Sequence, residues 1–435
     1  MAAVLQAQST RRRLSQGELD LIVSAHERFV EGRPAGKRAS LRFMDLSGLD
    51  LTDRNLNDAD LSGSVFDNCK MVRAKLERAN LFGCDLRRTD LREAVMRRAD
   101  LRGACLRGAN VALADLSGAD FRGGQIGVTH PTRGLDLLRS GGHLDEVNFA
   151  GAKLDGSKLE QVSACASDFT DCSMKGTILT GANLKDADLS GANLEGADID
   201  GASLENVSLV GAVLTGVDVR RARNTSGVNL AGCLGAPSET AVGRTQELME
   251  RAKANQMWCD TGGKHGAPAH LDGEDLRPLG LRLRGFRLTA VSARGACLVG
   301  LDLTGCQLQG ANLEGADLRS VCFKDADLRG ARMSGANLTR ADFTNAILAP
   351  LPFGAGRETP VNLRGATLRY VVGTRADMTG AVLDDADLRG ADFSGAIVDG
   401  ISLAGANVSQ ANGLAATHEK SLLHGDGGGT GAIGA

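Results

Sequence analysis

The stretch GANLKDADLSGANLEGADIDGASL, residues 181–204, carries Leu or Ile at 184, 189, 194, 199 and 204. Ala stands two places before each of them, at 182, 187, 192, 197 and 202. A large apolar side chain every fifth residue fits neither the 3.6-residue period of a helix nor the two-residue period of a strand. Extending the count along the chain shows three registers. With i as the large position, every one of 17 sites from Leu41 to Phe121 is Leu, Phe, Met or Val. Counting Ile as well, 15 of 16 sites qualify from Leu144 to Val219, and 23 of 26 from Leu283 to Val408. The phase breaks between them, first in GGQIGVTHPTRGLDLLRSGGH and then across 220–270.

The structure that satisfies a period of five is a solenoid whose chain turns a corner every five residues and stacks on itself. Positions i and i−2 then face the axis. The large residue fills it, and the small one lets the wall approach. Asn or Asp at i−1 hydrogen-bonds local backbone, and Gly at i+2, as in Gly181 and Gly191, tolerates the corner dihedrals. Cys69, Cys84, Cys172 and Cys306 stand where the repeat otherwise puts Ala, and read as small buried residues.

Units such as ADLSG at 59–63, ANLEG at 192–196 and 311–315, and ADLRG at 326–330 and 386–390 resemble those of the pentapeptide-repeat proteins. The resemblance implies an all-β solenoid, a right-handed quadrilateral parallel β-helix with four pentapeptides per coil. Two modules are expected, each with a short α-helix against its first repeats. The expected boundaries are a tail and capping helix over 1–40, a first β-helix over 41–235 with the phase break at 122–143, a helical insert over 236–270, a second β-helix over 271–411, and a disordered tail over 412–435. Ser15 and Glu18 form a capping box, and Leu19, Ile22, Val23, Phe29 and Val30 share one stripe of a helix near 16–31. SETAVGRTQELMERAKANQMW reads as a second helix capped by Ser238. APLPFGAGRETP at 349–360 keeps the five-residue phase and reads as a projecting loop.

Composition narrows the function. The net charge is −3 and aromatics are 3%, which disfavours a general affinity for nucleic acid or for stacked bases. No apolar run reaches the length of a membrane span, and the N-terminus reads as lacking a signal peptide, so a cytoplasmic location is expected. Cys259, His265 and His270 match no zinc spacing, and TGGKHG at 261–266 lacks the phosphate-loop frame. No catalytic residue, cofactor or metal is expected. Nearly all Asp residues occupy the structural i−1 site, so they are not read as acid/base pairs.

Charge divides by register. Residues 144–219 hold 4 Lys+Arg against 13 Asp+Glu, whereas 41–126 and 281–408 each hold 14 against 13. A candidate partner surface therefore has a basic part, Arg78, Arg87, Arg88, Arg98 and Arg107, and an acidic part, Asp155, Glu160, Asp168, Asp188, Glu195 and Asp200. The favoured reading is a non-catalytic scaffold that docks a protein partner. The resemblance supplies an alternative, a DNA mimic acting on DNA gyrase, which needs a continuous acidic surface. Lys175 and Lys185 interrupt its columns.

Overall fold

The computed structural model describes residues 11–130, 134–140, 142–354 and 356–414, with backbone alone between 126 and 140. Its dominant element is the single parallel bridge. The i−1 residues pair with partners twenty residues on, as in Asp60 with Asn80, Asp100 and Asp120 in succession. Twenty residues are four pentapeptides, so each coil has four sides and the chain builds four parallel ladders. In the first unit these run through Ser40, Asp45 (which also pairs with Arg13), Asp50 and Asn55, and are called faces A, B, C and D. Each side is too short for a conventional strand. Its backbone is satisfied by the next coil (Leu81 N–H to Asp100 O, 2.8 Å) and the previous one (Asn80 N–H to Ala59 O, 2.9 Å).

The corner explains the glycines. The amide at i+3 bonds the carbonyl at i, as Ala192 does to Leu189 at 3.1 Å, and the i+2 residue lies at positive φ, +70° for Gly191. That is the backbone demanded by a type II turn. The i−1 carboxylate or amide caps the same corner: Asp188 Oδ1 accepts the amide of Ser190 at 2.9 Å.

Inside, the i and i−2 side chains form stacked columns. Leu184, Leu179 and Ala182 are fully buried, and each such leucine contributes about 1.5–3 kcal/mol by leaving water. Aromatics twenty residues apart stack face to face, Phe149 on Phe169 at 4.6 Å and Phe323 on Phe343 at 5.0 Å.

Within each unit the ladder register identifies the interruptions as extrusions from the stack. Cys105 pairs with His143, 38 residues on instead of 20, so 18 residues leave the coil. They contain an antiparallel hairpin of β1 (Gly124–His130) and β2 (Gly134–Ser140). Ser203 pairs with Asn224 and His270 with Ser292, which are extrusions of one and two residues. Arg332 pairs with Asn362, 30 residues on, so ten residues leave there, including the short strands β3 (Leu351–Pro352) and β4 (Glu358–Thr359). Ten is a multiple of five, which is why the sequence phase survives that loop.

The chain divides into two compact units, Met1–Ala236 and Pro237–Ala435. In the first, α1 (Gln16–Val30) starts at the Ser15–Glu18 capping box and packs Leu19, Val23 and His26 inward. Phe29 and Val30, expected on that stripe, are instead 46% and 37% exposed. The 19, 23, 26 spacing follows the helix more closely, and His26 is admitted to the interior because both its ring nitrogens find backbone partners. In the second unit, the single helix expected after Ser238 is two, α2 (Glu239–Gly243) and α3 (Thr245–Asp260), broken at Arg244. Gly243 weakens the helix where the break occurs. Residues of the expected disordered tail beyond 414 lie outside the described residues. No described helix is long and apolar enough to cross a membrane.

Candidate interaction surfaces

The outward positions of every side are i−1, i+1 and i+2. On an extended chain i−1 and i+1 point the same way, two residues apart. Where they are Asp and Arg the pair closes on itself. Asp85–Arg87, Asp90–Arg92, Asp100–Arg102 and Asp120–Arg122 in the first unit make two-pronged contacts with closest distances of 2.6 to 2.7 Å. Asp275–Arg277, Asp317–Arg319, Asp327–Arg329 and Asp387–Arg389 do so in the second, at 2.6 to 2.7 Å. The same Oδ1 caps the corner amide, as Asp120 does for Arg122 at 3.2 Å. Burial raises the Asp120 carboxyl, but the hydrogen bonds from Arg122 outweigh it and hold the group below its usual range. The guanidinium of Arg87 is held above its usual value chiefly by its bonds to Asp85.

The ladders place the eleven candidate residues. Arg87, Arg88 and Arg107 lie on face B, while Arg78 and Arg98 lie on face D. Of these, Arg78 binds Asp58 at 2.7 Å, Arg107 binds Glu146 at 3.3 Å, and Arg88 binds Asp67. Arg98 makes no ion pair among the described residues, and its aliphatic stem packs 3.4 Å from where a Cβ on Gly118 would stand. The acidic six spread over three faces: Glu160 and Asp200 on A, Asp168 and Asp188 on C, Asp155 and Glu195 on D. All 13 carboxylates of 144–219 divide as four on A, four on B, three on C and two on D. Several are engaged inside the wall. Asp155 accepts from Ser173 at 2.6 Å and from the Lys175 amide at 2.9 Å, Glu195 pairs with Lys175 at 3.0 Å, and Asp200 pairs with Arg221. Glu160 Oε2 is buried with no hydrogen-bond partner. The structure thus gathers the eleven into no single patch.

Other surface features come from the extrusions. Leu351 of the β3–β4 loop lies over Gly330 and Gly310, so that loop folds back along one corner of the second unit. Phe353 at its tip is 54% exposed, and Ile347 and Ile397 on the adjoining side are 40% and 51% exposed. A cavity of about 400 Å³ at the last coil of the first unit is lined by Leu214, Val217, Val219, Leu230 and Cys233. Its one carboxylate, Asp218, is tied to Arg220 at 2.9 Å. No group of side chains suited to a metal ion occurs among the described residues.

Two sets of residues escaped the sequence reading. Ser, Thr and Cys at i−2 do more than save space: Cys84 Sγ donates to Leu61 O at 3.1 Å and Thr89 Oγ1 to Phe66 O at 2.9 Å. Their signal was the type of substitution, since each replaces Ala with a small donor. His26 and Asn255 are the other set, polar residues at 0% exposure on the inner faces of α1 and α3. Their signal was a polar residue at a core spacing.

These repeats place the chain in a family. A model of pentapeptide repeats matches residues 37–123, 143–181, 187–223, 287–349 and 361–395, well over half of the sequence. The chain belongs to the pentapeptide-repeat family, whose solved members are right-handed β-helices. Among solved structures it is similar to HetL, a protein involved in heterocyst differentiation regulation in the cyanobacterium Nostoc sp. strain PCC 7120. That match has 20% identity and a TM-score of 0.19, over 88% of this chain and 94% of that one. It is also similar to QnrB1, a plasmid-mediated fluoroquinolone resistance protein, at 20% identity and a TM-score of 0.22, over 50% of this chain and 92% of that one. Rfr23 of the cyanobacterium Cyanothece 51142 matches at 27% identity and a TM-score of 0.13, over 28% of this chain and 59% of that one. At such TM-scores no function transfers from any of them. No curated protein matches the chain.

Proposed function

We propose that this protein is a non-catalytic scaffold for protein–protein docking, built as two modules that each begin with a helix laid on the first coil. The observation that carries this reading is the state of the faces. Their Asp and Arg side chains are largely paired within the wall, and the departures from regularity are the extruded hairpin at 124–140 and the loop at 349–360. A stiff rack of satisfied sides with two extrusions offers a partner shape and not reactive chemistry. In the described cavity the carboxylate of Asp218 is tied to Arg220 and the thiol of Cys233 donates to the Leu209 carbonyl at 2.9 Å. Cross-linking mass spectrometry on complexes purified from the native cytoplasm tests it: cross-links should concentrate on the two extrusions, and replacing either with a Gly-Ser linker should remove a defined partner. Unchanged partner recovery after both replacements would refute it.

Imitation of DNA on gyrase requires acidic side chains running along one continuous surface. Here the 13 carboxylates divide among four faces, and Lys175 and Lys185 each bind one, at 3.0 and 2.8 Å. The scaffold reading is preferred on that ground. A supercoiling assay at micromolar protein, with and without a quinolone, is expected to show no effect.

A further inference from the structure

Helix α1 is fastened to the first coil by a side chain that changes charge near neutral pH. His26 is fully buried, its Nδ1 accepts the Ala39 amide at 3.1 Å, and its Nε2 donates to the Asn57 carbonyl at 2.9 Å. Only the neutral ring with its proton on Nε2 serves both partners. A second proton would sit on Nδ1 and face the Ala39 N–H, donor against donor, in a fully buried position.

The second unit makes the same joint from a group that does not titrate. Asn255, also fully buried, accepts the Ala269 amide at 2.8 Å and donates to the Thr289 carbonyl at 3.1 Å. The surroundings correspond as well. Lys37 N–H reaches Ala25 O at 2.9 Å in the first unit, and Ala267 N–H reaches Ala254 O at 3.3 Å in the second. Gly36 and Gly266 both press backbone to backbone on the helix, where an added Cβ would come within 2.4 and 2.1 Å of it. Two joints of one design thus hold the helix with different groups, an imidazole in the first and a carboxamide in the second.

We propose that His26 is a pH-sensitive latch: on mild acidification it releases α1 from the first coil and uncovers the apolar surface under Leu19 and Val23, while Asn255 keeps α3 closed. The charged groups around the ring act in both directions. Arg38, from the segment leading into the first coil, opposes the imidazolium. Asp58 of that coil and Glu27 of α1 favour it, but Glu27 is itself held by Arg54 at 2.9 Å. Burial is the largest influence and lowers the pKa of His26. The neutral ring therefore belongs to the closed state, and an opened His26 regains an ordinary value of about 6.5. The latch is fully effective above that value and weakens as pH falls below it. One unit below, the opening constant rises about tenfold, provided the closed ring stays neutral.

Hydrogen–deuterium exchange on the full chain at pH 7.5 and 5.5, corrected for intrinsic rates, tests this. The amides of residues 19–28 should lose protection about tenfold at pH 5.5, while those of 248–257 hold theirs. His26→Asn should make α1 indifferent to pH, and Asn255→His should transfer the loss to α3. The proposal is overturned if wild-type α1 keeps its protection at pH 5.5, or if α1 loosens equally in the His26→Asn protein. Failure of Asn255→His to sensitise α3 would also count against it.

Discussion

Replacing Gly330 with Ala should unseat the β3–β4 loop, and the structure allows the effect to be separated from the strain of the substitution itself. Gly330 sits at φ +66°, so any L side chain there takes a left-handed backbone at roughly 1–2 kcal/mol. An ideal Cβ would also stand 2.7 Å from Leu351 Cβ, 3.3 Å from its Cδ2 and 3.4 Å from the Thr359 carbonyl. Leu351 Cβ is fixed to the β3 backbone, so rotation of the side chain cannot clear it and the strand must lift. Overpacking of this kind costs ~1–3 kcal/mol. Gly315 is the control: it lies at φ +63° with nothing within 4 Å of an added Cβ. Both substitutions carry the backbone strain, and only Gly330→Ala carries the collision. A difference of ~1.4 kcal/mol raises the detached population of the loop about tenfold. Trypsin cleavage after Arg357, followed by mass spectrometry, reads that population. Cleavage should accelerate about tenfold in Gly330→Ala and stay near the wild-type rate in Gly315→Ala. Equal rates in the two variants would refute the docking of this loop on the glycine corner.

Three further outcomes are expected. Asp317→Asn should lower thermal stability by ~1.5–3 kcal/mol, because it breaks a two-pronged bond to Arg319, whose side chain is only 10% exposed. Asp100→Asn, facing the 44% exposed Arg102, should cost under about 1 kcal/mol, and similar melting shifts in both would contradict the pairing argument. Thr177→Val should cost about 1 kcal/mol through the lost bond to Leu154 O at 2.8 Å, whereas Thr180→Val, which loses only a solvent-exposed bond to Asp198 at 3.1 Å, should cost less in the same melts. Burial pushes the Cys84 thiol up to about 12 and those of Cys69 and Cys306 to about 11. All three should resist iodoacetamide at pH 8 in the folded chain and react on denaturation. Modification of Cys84 ahead of the half-buried Cys259 would show that the interior column is open.

The fold was legible because its period is written by the two residues that face inward. Leu at 184, 189 and 194 and Ala two places ahead fix both the side length and the corner. The glycine of GANL and GADI then follows from the positive φ at i+2. What lay outside that period was harder to read. The jump after Phe121 marked where the chain leaves the stack, but only the pairing of Cys105 with His143 shows that the ladders close over the gap. The ten-residue extrusion between Arg332 and Asn362 hid part of its length by preserving phase. His26 was passed over because an apolar stripe was sought on α1, and Phe29 was the more hydrophobic choice. Backbone amides at the first coil needed a partner more than the core needed another ring.

The candidate residues divide among the faces in a way that bears on recognition. Stacking by twenties sets Arg78 over Arg98 and Arg87 over Arg107, which reads as a column of unneutralised charge. Yet the partner within easiest reach of an i+1 arginine is the i−1 aspartate on its own side, because alternate residues of an extended chain share a face. Arg87 therefore turns to Asp85 at 2.6 Å, and Arg78 turns to Asp58 one coil back at 2.7 Å. Where Asp-Leu-Arg units recur, a face can be dense in charge and nearly neutral at close range. Exposed pairs of this kind are screened and individually weak, so they give a partner little to select. The features that no neighbouring coil repeats are the hairpin at 124–140, the loop with Phe353 and the helices at the first coils. On the docking function proposed above, selectivity has to be sought there, because a surface built from identical sides distinguishes its binding register only where the repetition is interrupted.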